Sequence, residues 1–142
     1  MPRHMTAVEF RHEYKASIYY PSHIAELKER LEEIDAMIGY HSPNLDGVVG
    51  VPRSHDERLA EYITKREKIA SEIQRMEDQL KRIDGVLMFV DEDVRELFKN
   101  MYSGKMNTEE AAFRAGYDQT TARRKTLRQI EQAIKMYEDI LL

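Results

Sequence analysis

Residues 91–128 read DEDVRELFKNMYSGKMNTEEAAFRAGYDQTTARRKTLR, and this stretch decides the fold. Its spacing predicts three helices punctuated by two glycines. Asp91 is placed to N-cap the first, whose apolar side is Val94, Leu97, Phe98 and Met101, and Gly104 stops it. Asn107 starts the second, with Glu110 three residues on in the capping-box position. That helix is short and small-sided (Ala111, Ala112, Ala115) and ends at Gly116, which can take the left-handed backbone of a sharp turn. Tyr117 and Asp118 lead to a third helix opening with Gln119, Thr120, Thr121, Arg123 and Arg124. Two helices joined by a short glycine-containing turn, the second polar and basic at its start, make the helix-turn-helix pattern. Glycine turns also join αα-hairpins in bundles of any function. The basic third helix is what tips the reading towards DNA.

Working outward, residues 99–128 hold 7 Lys+Arg against 3 Asp+Glu (+4), whereas residues 1–98 hold 14 against 20 (−6) and 129–142 hold 1 against 3 (−2). The one basic island of a chain with net charge −4 therefore coincides with this pattern. An acidic remainder keeps non-specific DNA binding low, which suits a sequence-specific protein. Four or five phosphate contacts on the island would give a salt slope of roughly −4.

The segment resembles the sigma-factor region-4 type of helix-turn-helix found in small phage transcriptional regulators of the RinA/ArpU kind. The matching residues are Tyr102 and Gly104, Thr108 to Glu110, Ala112, Gly116-Tyr117, Asp118, Thr121-Ala122 and Arg124. They cover about 30 of 142 residues, and the rest agrees only in layout. Ala111, Ala115 and Ala122 stand where those regulators have larger aliphatics. The core is thus expected to be thin or completed by another element, with Phe113 as part of that completion.

The composition, 42% hydrophobic and 34% charged with no Trp, is that of a helical, coiled-coil-rich chain. No cysteine is present, which excludes disulfides and cysteine-based zinc sites. The longest apolar run is Val86 to Val90, far short of a membrane span, and no apolar signal core follows the N-terminus. A cytoplasmic, nucleoid-associated protein without membrane contact is the expectation.

Thr6 and Glu9 predict a capped helix carrying Phe10, Tyr14 and Ile18, interrupted at Tyr20-Pro21. Ile24, Leu27, Leu31, Ile34 and Ile38 then follow at coiled-coil spacing. Gly39 to Arg53 reads as a long loop. Ser54 to Glu57 is a capping box launching a helix with Leu59, Tyr62, Arg66, Ile69, Ile73, Met76, Leu80, Ile83 and Leu87 along one seam. Residues 6–38 and 54–88 are nearly equal in length and are expected to fold back as an antiparallel hairpin. Beyond Arg128, Ile130, Ile134, Tyr137 and Leu141 extend the last helix, which can pack on its own chain or pair with a second copy.

The expected architecture is all-α. Residues 1–90 form an antiparallel coiled-coil helical hairpin, and 91–142 form a helix-turn-helix domain with an extended last helix. Catalytic patterns are absent: no phosphate loop, no Gly-x-Ser-x-Gly and no His-Glu-x-x-His. His41 and His55 flank the loop as a weak metal candidate. No enzyme, cofactor or metal is expected. The resemblance implies a sequence-specific DNA-binding transcriptional regulator of phage or prophage origin. Gln119, Thr120, Arg123 and Arg124 would face the major groove, while Lys105, Thr108, Thr121, Lys125 and Arg128 would hold phosphates. Double-stranded DNA is the expected partner, with a homo-oligomer (a dimer favoured) and RNA polymerase as a further contact. The alternatives are a small-terminase-like packaging or recombination accessory, and a coiled-coil interaction adaptor that binds no DNA.

Overall fold

A computed structural model describes residues 4–41 and 53–141. Among these residues the chain is all-helical, with α1 (Ala7–Ser17), α2 (Tyr20–His41), α3 (Arg53–Leu87), α4 (Glu92–Tyr102), α5 (Thr108–Arg114) and α6 (Gln119–Leu141). They divide into two compact units. One joins Met1–Ile18 to Gln79–Leu142, and the other is Tyr19–Asp78. These limits differ from the single division at 90/91 expected from sequence, and packing gives the reason.

In the first unit Phe98 of α4 is fully buried and gathers three rings. Phe10 lies 5.9 Å away between centroids, Tyr14 4.9 Å and Tyr102 5.0 Å, all tilted as aromatic quadrupoles prefer. Phe10 and Tyr14 belong to α1, so α1 is part of this core. The last turns of α3 add Ile83, Val86 and Leu87; α5 adds Ala111 and Ala112; α6 adds Ala122, Ile130, Ala133 and Ile134. Thr126 is the one fully buried hydroxyl of α6, and it donates to the Ala122 and Arg123 carbonyls at 2.9 and 3.0 Å. The core is completed by another element, as its alanines required, but that element is α1 with the end of α3. Phe113 does not take part: it is 82% exposed, because it points away from α4 on the outer side of α5.

The thirty-five-residue α3 passes through Gly85 without a break. A Cβ there would lie 2.4 Å from Cε2 of Tyr137, so the extension of α6 packs where the glycine leaves room. Tight turn bonds from Phe89 to Val86 (3.0 Å) and Val90 to Leu87 (3.1 Å) then end α3.

In the second unit, Lys28 pairs with Glu77 at 3.4 Å and Asp35 with Arg66 at 2.6 Å. Numbers rise along α2 as they fall along α3, so the two helices run in opposite directions. Arg66, the basic interruption of the seam, is thus held by a carboxylate. Ile24, Leu27, Ile73 and Met76 are buried, whereas Leu31, Ile34, Ile38, Leu59, Tyr62 and Ile69 are half-buried. These exposed ion pairs contribute about 0–1 kcal/mol each and fix register more than stability.

Three sequence expectations are corrected at element ends. The break near Pro21 falls at Ile18–Tyr19, and the proline sits in the first turn of α2, where its missing N–H costs nothing. α2 continues through Gly39, Tyr40 and His41, so that part of the expected loop is helix. The remaining loop, and the side chains of His41 and His55, lie outside the described residues. α3 begins at Arg53, one residue before Ser54, which therefore does not occupy the N-cap position.

Candidate nucleic-acid interface

The local chemistry of residues 103–121 sets how α6 is presented. Ser103 closes α4 by bonding back to the Lys99 carbonyl at 2.9 Å, and Gly104 follows at φ +84°. Asn107 then caps α5, its side-chain oxygen accepting from the Glu110 amide at 2.7 Å. Glu110 itself takes Arg114 at 3.0 Å.

Four residues, Ala115 to Asp118, join α5 to α6. The Tyr117 amide reaches the Ala112 carbonyl at 2.9 Å and the Gly116 amide the Phe113 carbonyl at 3.0 Å, with Gly116 at φ +84°. This pair of bonds is the Schellman closure, and it satisfies carbonyls that a helix end otherwise leaves bare. Asp118 then caps α6 by accepting from the Thr121 amide at 2.6 Å. The bonds from Thr121 hold the Asp118 carboxyl below its ordinary range, with Arg124 adding a smaller electrostatic push. Glycine closes one helix and aspartate opens the next, so the angle between them has little freedom.

The expected N-cap residue Asp91 is found in position. Asp91 stands at the N-cap position of α4 but makes no side-chain cap bond. Its carboxylate accepts from Gln129 Nε2 at 3.2 Å, while its amide donates to Gln129 Oε1 at 3.3 Å. The residue therefore ties α4 to α6.

The nine residues singled out from sequence fall into two groups. Lys105, Thr120, Thr121, Arg123, Arg124 and Arg128 are exposed, and among the described residues the side chains of Lys105, Thr120, Arg123 and Arg128 have no hydrogen-bond or ion-pair partner. Thr121, Arg124 and Arg128, spaced 3 and 4 apart, share the outward side of α6, and Arg123 lies at its edge. The other group is engaged. Gln119 Nε2 donates to Thr108 Oγ1 at 2.7 Å, which links the first residues of α5 and α6. Lys125 Nζ donates to the Tyr117 hydroxyl at 2.8 Å and lies 4.9 Å from that ring's centroid. The Tyr117 bond raises the Lys125 pKa, with the Asp91 and Asp93 charges adding to it.

Two grooves flank α6. One, of about 580 Å³, is bounded by Asp91, Asp93 and Glu96 of the α4 side and by Arg114, Tyr117 and Lys125. The other, of about 390 Å³, lies between Thr6, Ala7 and Val8 and the Arg124, Arg128 and Glu131 side chains. Sequence reasoning missed both, since each is assembled from segments far apart in the chain. The only forewarning was the acidic run at the start of α4. Among the described residues no cluster of histidines and carboxylates is arranged to hold a metal ion, and no helix is long and apolar enough to cross a membrane. The chain matches no family model, no curated protein and no solved structure.

Proposed function

We propose that the chain is a sequence-specific DNA-binding regulator in which α5 and α6 act as a helix-turn-helix and α6 enters the major groove. The observation that carries this reading is the exposed basic side of α6 (Arg123, Arg124, Arg128) directly after the turn at Gly116 and the Asp118 cap. Side chains at the start of such a helix reach base edges, and those on its flanks reach phosphates. Arginine recognises guanine through two parallel donors, worth roughly 1–3 kcal/mol of discrimination. Thr120, Arg123 and Arg124 are assigned to bases and Lys105, Thr121 and Arg128 to phosphates. Gln119 and Lys125 would exchange their present partners, Thr108 and Tyr117, to join them. On this reading residues 19–78 form an antiparallel coiled-coil hairpin that brings copies together, because paired weak readers gain avidity. A phage or prophage regulator acting through RNA polymerase is the setting the sequence resemblance implies.

The test is selection of bound fragments from a genomic library, followed by Arg124→Glu. Specific binding should fall by at least 10-fold, about 1.4 kcal/mol, with the helical circular dichroism and melting temperature unchanged. Retained binding would remove Arg124 from the interface. Light scattering of the free and bound protein separates a dimeric regulator from a ring-forming packaging protein.

A further inference from the structure

The two flanks of α1 carry opposite charge. Glu9 and Glu13 lie four apart on one, and Glu13 pairs with Arg82 of α3. Arg11 and Lys15, also four apart, lie on the other and have no ion pair among the described residues. Both reach over Tyr102 at the end of α4, with Arg11 Cζ 5.5 Å and Lys15 Nζ 5.3 Å from the ring centroid. Lys99, one turn before Tyr102, is exposed and likewise has no ion pair among the described residues. The Tyr102 hydroxyl and Arg11 Nε are buried without a partner among the described residues, and so is Oγ of Ser103, the next residue in the chain. Tyr102 itself is only 5% exposed.

Unpartnered donors beneath unpaired cations are the chemistry of an anion site, since each buried donor left without a partner costs about 1–3 kcal/mol. Cation–π contact with Tyr102 explains why the two cations lie over the ring. That contact makes no use of the Tyr102 hydroxyl, and the Ser103 hydroxyl is unsatisfied as well. A phosphate would satisfy them, with Arg11 and Lys15 rotating off the ring to hold its other oxygens. The place is also linked along the chain to the proposed interface. Lys105 follows Ser103 by two residues, Thr108 opens α5 three residues later, and Thr108 is bonded to Gln119 of α6.

We infer that Arg11 and Lys15 of α1, with Tyr102 and Ser103 at the end of α4, form a second phosphate-binding surface that grips the backbone of the duplex read by α6. This rests on the DNA-binding reading, which assigned α1 no part in contact. Two added phosphate contacts move the expected salt slope from roughly −4 to about −6.

The experiment measures duplex affinity of the full chain from 0.1 to 0.4 M salt for the natural protein and for Arg11→Gln/Lys15→Gln. Each contact contributes about 0.9 to the slope, so the variant should bind about 60-fold more weakly at 0.1 M and only ~5-fold more weakly at 0.4 M. The selected sequence should not change. Tyr102→Phe, which removes the hydroxyl and keeps the ring, should show a smaller loss of the same kind. In parallel, inorganic phosphate is titrated against chloride at constant ionic strength while the Tyr102 ring and Arg11 Nε resonances are followed. A duplex-binding protein whose slope is unaltered by the double variant overturns the inference and leaves the α6 reading standing. Phosphate-induced shifts in a protein that binds no duplex would retain the anion site, assign it to a free phosphate ligand, and overturn the link to DNA. Absence of both the shifts and duplex binding overturns the inference and the DNA reading together.

Discussion

Gly85 offers a test in which the sign of the effect, and not only its size, is at stake. It lies inside α3, where alanine is the better helix former by about 1 kcal/mol. On propensity alone, Gly85→Ala should stabilise. The structure places a new Cβ 2.4 Å from Cε2 of Tyr137 and 3.1 Å from Cδ2 and Cζ, well inside van der Waals contact. Overpacking of this sort costs roughly 1–3 kcal/mol. Tyr137 is half-buried and can give some ground, so the middle of that range, about 2 kcal/mol, applies. The net expectation is destabilisation by about 1 kcal/mol. In a Tyr137→Ala background the obstacle is gone, and the same change should stabilise by about 1 kcal/mol. The coupling of the two sites is therefore about 2 kcal/mol, within the range known for residues in contact. Urea unfolding of the four proteins, followed by circular dichroism at 222 nm, measures it. If Gly85→Ala stabilises both backgrounds equally, the extension of α6 does not pack on α3 at this point.

Other perturbations address the remaining links. Gly116→Ala places a side chain at φ +84° with no neighbour within 4 Å, so its cost, about 1–2 kcal/mol, is backbone strain alone and should appear as a lower urea midpoint. Asp118 has a lowered pKa in the folded chain, so its cap stabilises fully above the unfolded value of about 3.9 and is lost as pH falls through the lower folded value. The Thr121 amide resonance should move with that titration, and Asp118→Asn should abolish the movement. A fragment of residues 91–142 lacks Phe10, Ile83, Val86 and Leu87, whose burial is worth about 1.5–3 kcal/mol each. That sum rivals a whole domain's stability, so the fragment should show little cooperative unfolding, whereas adding residues 79–90 and α1 should restore it.

The sequence made the all-helical class and the boundaries of α4, α5 and α6 legible because their signals are local. Asn107, Gly104 and Gly116 each act on neighbours within a few residues. What stayed hidden depends on contacts across the chain. Phe10 and Tyr14 read as a short amphipathic helix of no fixed address, and nothing local ties them to Phe98, more than eighty residues away. Phe113 seemed a natural filler for an alanine-lined core, yet α1 occupies that role and leaves Phe113 in solvent. Asp91 stands at the cap position, but its side-chain partner is Gln129, thirty-eight residues on. The basic flank of α1 was invisible for another reason. Summing charge over residues 1–98 gave −6 and cancelled Arg11 and Lys15 against carboxylates that lie elsewhere.

The alanines connect these observations. Ala111, Ala112 and Ala122 are buried and small, so α5 and α6 alone enclose too little apolar surface to hold their own angle. Phe10 makes up the deficit, and a helix docked for that purpose must place its other sides somewhere. Helical geometry leaves little choice: with Phe10 and Tyr14 inward, Arg11 and Lys15 fall on the flank beside α4, and Glu9 and Glu13 on the flank beside α3. Glu13 then pairs with Arg82, while the cations remain over Tyr102 without a carboxylate among the described residues. A thin core and an unpaired basic surface are thus consequences of one docking event. Any change that loosens Phe10 should therefore weaken the hold on α6 and the grip of the second surface together.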